Sequence, residues 1–299
     1  MLLKTVSFTL ILLLGAFFRK QGYLSAPARD ALTAIVMQIT LPAAILTGFS
    51  VETFDPSYLW IIFAGFMLNL LMIGIGYAIS RGQPVRDRVT SCLAMTGFSI
   101  GSFALPFTQE FLSGNLLAVV CLFDFGNAFM TLGGTKLLVS MLFGGDCGKG
   151  VPGFLRNLLS SPSLIIEIVM VFSLLFGCRV PAEVLTVAKP LANANFFLSV
   201  LLVGSMLHFD ITWAQLKQIS RYQVIRCLFV LTFALLFYAV LPYDREIVLA
   251  VILASCSPIS IMSTIYAEQC GGDSGLSGLT GSINVFLSIV MMFVVLALF

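Results

Sequence analysis

Residues 92–107 read CLAMTGFSIGSFALPF and residues 251–269 read VILASCSPISIMSTIYAEQ. Each is apolar enough to enter lipid, and each is interrupted by residues that do not sustain a helix. The first carries Gly97, Gly101 and Pro106 among Thr96, Ser99 and Ser102; the second carries Pro258 amid Ser255, Ser257, Ser260, Ser263 and Thr264. Proline lacks the backbone donor and its ring clashes with the preceding turn, which costs a helix interior about 3 kcal/mol. A break inside hydrocarbon frees N–H and C=O groups that must find partners or a wet cavity, and short hydroxyl side chains beside it supply some of them. Both stretches are therefore expected to be helices broken at Pro106 and Pro258. If the breaks meet near the bilayer midplane, their half-helix N-termini suit an anion such as a carboxylate.

The composition places these stretches in a membrane. The 299 residues are 59% hydrophobic and 10% charged, with a mean hydropathy of +1.04, far from the balance of a water-soluble domain. Apolar runs of spanning length occur near 2–18, 31–49, 58–79, 90–107, 115–136, 161–178, 190–207, 222–241, 247–266 and 276–299, so ten spans are expected and no separate soluble domain. The first run begins MLLK like a signal peptide, but it has no small-x-small cleavage site and is followed by Arg19 and Lys20, so it is read as a span.

Charge orients the bundle, because Lys and Arg near span ends are retained in the cytoplasm. Odd-numbered loops carry Arg19, Lys20, Arg29, Arg81, Arg86, Arg88, Lys149, Arg156, Lys217 and Arg221. The N-terminus and even-numbered loops carry Lys4, Arg179, Lys189 and Arg245. Both termini are thus expected on the non-cytoplasmic side. The Gly-rich stretch GGDCGKGVPGFLRNLLSSP becomes a cytoplasmic loop over 144–160, dividing a first five-helix repeat, 1–143, from a second, 161–299. An odd number of spans per half requires the halves to be inverted. Pro42 in ITLPAAIL and Pro190 in KPLANANFFL, near the start of each half's second span, are the only further match between them.

Several function classes are excluded. Sixteen Lys and Arg against fourteen Asp and Glu leave a net charge of +2, without the clustered basic face of a nucleic-acid binder. The seven cysteines are irregularly spaced with no C-x-x-C, and the single histidine, His208, makes a His-based metal site improbable; no metal and no cofactor are expected. G-x-x-x-x-G-K-[ST] and H-E-x-x-H are absent, which argues against coupling to ATP hydrolysis in this chain and against an enzyme.

Ionisable residues inside spans cost about 2.5–3.5 kcal/mol on insertion scales and are functional candidates by default. Asp124 lies inside the fifth run, where a carboxyl group in low dielectric can exchange a proton during transport, so it is the expected proton-coupling residue. Glu167 in the sixth run is expected to pair with a basic residue and hold helices together. Lys136 and Arg226, near the cytoplasmic ends of the fifth and eighth runs, are expected to snorkel to the headgroups, and His208 to face headgroups too. Asn284 in the tenth run is expected to make an interhelical hydrogen bond.

Five stretches together carry a resemblance over essentially the whole chain: LILLLGAFFRKQGYLSAPARDALTAIVMQITLPAAILTGFS, SIGSFALPF, FDFGN, LRNLLSSPSLI and SPISIMSTIYAEQCGGD. Their order and spacing resemble the auxin efflux carrier family of permeases. The resemblance implies ten spans as two inverted five-span repeats, with spans four and nine broken and crossing at the substrate site. It also implies a scaffold of spans one, two, six and seven that forms a homodimer, and a mobile transport unit made by the others.

Residue by residue, Gly101 and Pro106 match the family's N-T-G-F-L-G-L-P stretch, while Ser99 stands for its asparagine and Ala104 for a glycine. A hydroxyl offers one donor where an amide offers two. Asp124, Gly126 and Asn127 match a D-x-G-N pattern, Pro258 matches the family's proline, and Ala267 and Asp273 follow at the expected distances. The expected function is secondary transport of a small organic anion, a carboxylate, across the inner or plasma membrane, driven by protons. Ser99, Gly101, Ser102, Pro106, Ser257, Pro258 and Ser260 are the expected substrate contacts, with Asn127 and Asn284 in support. The rivals are a sodium-coupled anion symporter of similar architecture and a non-transporting receptor or assembly protein.

Overall fold

A computed structural model describes residues 2–50, 55–112, 116–144, 150–207, 212–240 and 244–298. Among these there is no strand, only helices: α1 (Leu2–Lys20), α2 (Ala26–Gly48), α3 (Pro56–Ile79), α4 (Val85–Met95), α5 (Leu105–Phe111), α6 (Leu116–Phe143), α7 (Gly150–Leu159), α8 (Pro162–Leu175), α9 (Ala182–Met206), α10 (Trp213–Val240), α11 (Arg245–Ser255), α12 (Ile261–Gln269) and α13 (Ser274–Leu298). Among the described residues six helices are long and apolar enough to cross a membrane, namely α2, α3, α6, α9, α10 and α13. α7 and α8 add a pair bent by 72°. The two decisive stretches are broken: α4 and α5 flank one interruption, α11 and α12 the other, and each half is too short to span alone.

Two runs begin earlier than hydropathy indicates. α9 starts at Ala182, eight residues before Pro190, which sits inside an unbroken helix. α10 starts at Trp213, well before the run at 222–241. In both, polar residues extend the helix beyond its apolar part, which a hydropathy window cannot register. The stretch read as a loop over 144–160 contains α7, whose sequence GVPGFLRNLL places Leu158 in the core and leaves Val151, Leu155 and Leu159 exposed. His208, Cys147 and Lys149 lie outside the described residues.

Close backbone contact, made by glycine, sets the packing. Gly15 of α1 faces Leu201 and Ser205 of α9, and Gly204 of α9 faces Leu12 of α1; a Cβ at either would overlap the opposing backbone. Gly65 of α3 and Gly126 of α6 form a second reciprocal pair against Phe123 and Ile62. Lipid provides no hydrophobic drive between helices, so dispersion across such near contacts and interhelical hydrogen bonds hold the bundle.

Candidate functional site: two interrupted helices over a polar cavity

The first interruption lies at residues 96–99, upstream of Pro106. α4 ends at Met95, Thr96 is extended, and Gly97 adopts φ +80°, a region that L side chains avoid. A Cβ at Gly97 would also stand 2.6 Å from Ser263 Oγ. The chain then re-enters a wide π turn, Ile100–Ala104, before α5. Pro106 falls in the first turn of α5, where the turn before it removes the need for its missing donor. Pro42 is handled in the same way, after the π turn Val36–Thr40. The expectation that Pro106 itself splits the helix is corrected: Gly97 turns the chain, and Pro106 is accommodated by a π turn. In the second stretch the break does include the proline, since α11 ends at Ser255, residues 256–260 are non-helical and α12 begins at Ile261.

The two interruptions pair with each other. Phe98 and Ile259 form an isolated antiparallel bridge. The Ser99 amide donates to the Pro258 carbonyl at 2.8 Å, and the Ser260 amide to the Gly97 carbonyl at 3.0 Å. Ser263 Oγ adds a bond to the Thr96 carbonyl at 2.9 Å. Each break thus satisfies part of the other's freed backbone, a requirement where water is scarce.

Side-chain amides complete the account. Asn127 of α6 accepts from the Phe98 amide at 3.3 Å and donates to the Phe98 carbonyl at 2.9 Å. It is buttressed by Asn69 of α3, which donates to Asn127 Oδ1 at 3.0 Å and accepts from the Gly97 amide at 2.9 Å. On the other side Asn284 of α13 accepts from the Ile259 amide at 2.8 Å and donates at 2.6 Å to Gln223 of α10. Asn284 therefore makes the interhelical bond expected of it.

Arg226 does not snorkel. Its side chain is buried, with the guanidinium 4.3 Å from the centre of the Phe98 ring. It donates to the Met95 carbonyl and, at 3.2 Å, to the Ser257 carbonyl. The last carbonyls of a helix lack intrahelical partners and carry partial negative charge. A cation placed against the ends of α4 and α11 answers both needs, and the headgroups cannot outbid it. Lys136, by contrast, donates from an exposed position to Gln269 at 2.7 Å.

Beside the paired breaks lies a cavity of about 830 Å³, ample for a small organic ligand. Its wall includes Ser99, Gly101, Ser102, Pro258 and Ser260, with Asp124 and Asn127 from α6. It extends to Arg29 and to the exposed Asp30, Asn157 and Ser160. Two of the expected contacts do not line it. Ser257 is buried with its hydroxyl donating to the Ala254 carbonyl at 2.5 Å, and Pro106 is buried inside α5.

Asp124 accepts from Asn127 Nδ2 at 2.9 Å and from the Gly101 amide. Its Oδ2 stands where a Cβ on Gly101 would come to 2.9 Å, so a side chain there would push the carboxylate away from this turn. Glu167 of α8 also reaches the wall, buried to 2% exposure. Among the described residues it forms no ion pair, contrary to the expected pairing with a basic residue. Sequence reasoning missed the bracing roles of Asn69 and Gln223; the available signal was a carboxamide inside an otherwise apolar run.

Neither a model of a known protein family nor a curated protein matches the chain. Long apolar helices, close glycine packing and broken segments whose backbone is satisfied internally identify an all-α, multi-pass membrane protein.

Proposed function

We propose that this protein is a secondary transporter of a small organic anion, a carboxylate, that works by alternating access and is coupled to protons. One observation carries the reading: two interrupted helices hydrogen-bond to each other through Ser99, Pro258, Gly97 and Ser260 beside a cavity with polar walls. Non-helical backbone at membrane depth is costly and is tolerated where it is buried in protein or lines a water-filled cavity. A protein that only held a shape in the membrane would be served by continuous helices.

On this reading the chain has ten spans in two inverted repeats, like the auxin efflux carriers it resembles. Four contacts between helix ends support that course. Lys4 pairs with Glu110 at 3.6 Å, Arg86 with Asp273 at 3.0 Å, Arg19 with the Leu207 carbonyl and Arg221 with the Ile79 carbonyl. Each joins two ends that a ten-span antiparallel course puts on one side of the membrane. The mouth at Asp30, Asn157 and Ser160 would then face the cytoplasm.

Asp124 supplies the coupling logic. The protein's own carboxylate occupies the Gly101 amide, a donor that a substrate carboxylate would seek. Protonation of Asp124 weakens that bond and releases the donor for the incoming anion, so proton and anion favour each other's binding. The test is uptake of labelled mono- and dicarboxylates into proteoliposomes at two pH values, with and without sodium. Uptake that rises at low pH without sodium supports the reading; dependence on sodium favours the symporter rival, and absence of flux for the whole panel sinks transport of carboxylates.

A further inference from the structure

Glu167 is a buried carboxyl group that takes no part in joining the two interrupted helices. It projects from α8, which packs against α2, α6 and α7. It is 2% exposed, it lines the cavity, and among the described residues it makes no hydrogen bond or ion pair. A carboxylate taken out of water without a donor or a cation is strongly disfavoured, so such a group is held neutral or is neutralised by something that binds.

Among the described residues no basic group on the surrounding elements compensates it. Arg29 of α2 stands in the cavity wall and donates to the Ser205 carbonyl at 3.4 Å, and its neighbour Asp30 is exposed. Arg156 of α7 is exposed, while α6 presents Asp124 and the thiol of Cys121. The broken segments add the thiol of Cys256 and no charge. Arg226 is engaged with the Met95 and Ser257 carbonyls, and Lys136 with Gln269. Among the described residues no three acidic, His or Cys side chains converge to hold a metal ion. The two carboxyl groups are also unequal in their contacts: Asp124 receives two N–H donors, from Asn127 and Gly101, and Glu167, among the described residues, receives none.

We propose that Glu167 is a second proton-binding residue of the cavity, carrying on its carboxyl oxygen a proton taken from water at the mouth, and that the cavity accepts an anion when Glu167 is neutral. This rests on the transport reading above. No covalent bond changes; the proton moves from solvent to Glu167 and returns on release. The protonated Glu167 removes one of two negative charges that would repel the substrate, and its O–H becomes a donor. The same charge balance makes monocarboxylates better substrates than dicarboxylates.

Infrared difference spectroscopy of the reconstituted protein across pH tests the site without any substrate. A protonated-carboxyl C=O band is expected to persist at neutral pH, to vanish in Glu167→Gln, to shift in Glu167→Asp and to remain in Asp124→Asn. A band unchanged in Glu167→Gln, no band at neutral pH in the unmodified protein, or displacement of the band by sodium at fixed pH would overturn the assignment. Uptake of labelled benzoate is the second readout. Below saturation, over the alkaline range in which the band is lost, its fall with rising pH is expected to be shallower by about tenfold per pH unit in Glu167→Gln, which stays neutral, than in the unmodified protein. An unchanged slope in Glu167→Gln sinks this inference, whereas an intact band with no carboxylate flux sinks the transport reading and leaves the proton site standing.

Discussion

Phe98 and Ile259 face each other as an antiparallel bridge, and the amide of each donates to a carboxamide on a following helix, Phe98 to Asn127 and Ile259 to Asn284. Each carboxamide is in turn braced by another, Asn69 for Asn127 and Gln223 for Asn284. Two backbone breaks are thereby stabilised by the same chemistry on opposite sides of one junction. The matching is what the proposed inverted repeat would produce, and it occurs without any likeness between the two stretches of sequence.

Removing one brace should be felt at once. Asn127→Ala leaves the Phe98 amide and carbonyl without their partners and costs Asp124 a donor. A loss of about 1–3 kcal/mol is expected, read as a lower melting temperature of the purified protein in detergent. Asn284→Ala should cost a similar amount, because it orphans the Ile259 amide. No change in either variant would remove the carboxamides from the account of the junction.

Arg226 should be intolerant of shortening and only partly replaceable. Arg226→Met abandons two buried carbonyls and is expected to lose about 2–4 kcal/mol. Arg226→Lys keeps the charge but not the fork that reaches the Met95 and Ser257 carbonyls together, so intermediate stability is expected. Equal melting temperatures for Lys and Met would mean that the charge is irrelevant there.

Glycine substitutions separate strain from space. Gly97→Ala meets both a φ of +80° and Ser263 Oγ at 2.6 Å, so it should destabilise by more than about 1 kcal/mol and depress flux. Gly74→Ala, in α3 with nothing within 4 Å, should be neutral or slightly stabilising in the same melting assay.

The exposed ion pair between Arg86 and Asp273 should contribute little despite its 3.0 Å geometry. A double-mutant cycle to alanine is expected to return under about 1 kcal/mol and to shrink in high salt. A larger coupling would give this contact a role in the transport cycle.

Orientation has a direct readout. In a background without other cysteines, an impermeant thiol reagent on intact cells is expected to reach the exposed Cys178 and to miss a cysteine placed at Arg156. The reverse labelling would turn the protein over in the membrane and put the cavity mouth outside.

Composition and hydropathy alone determined that this chain is helical and membrane-embedded, and the Gly, Pro and Ser content of residues 92–107 and 251–269 marked where helices would be interrupted. Those properties are local: transfer energies add along a segment, and a residue without a donor or a Cβ acts on its own turn. Tertiary structure decided the rest. That Gly97 turns the chain while Pro106 is absorbed by a π turn, that Arg226 is drawn inward, that Asn69 and Gln223 act as braces, and that Glu167 reaches the cavity wall all depend on which groups approach across distant segments. Hydrogen bonds and desolvation act over a few ångströms of space, and the order of residues along the chain does not specify that proximity.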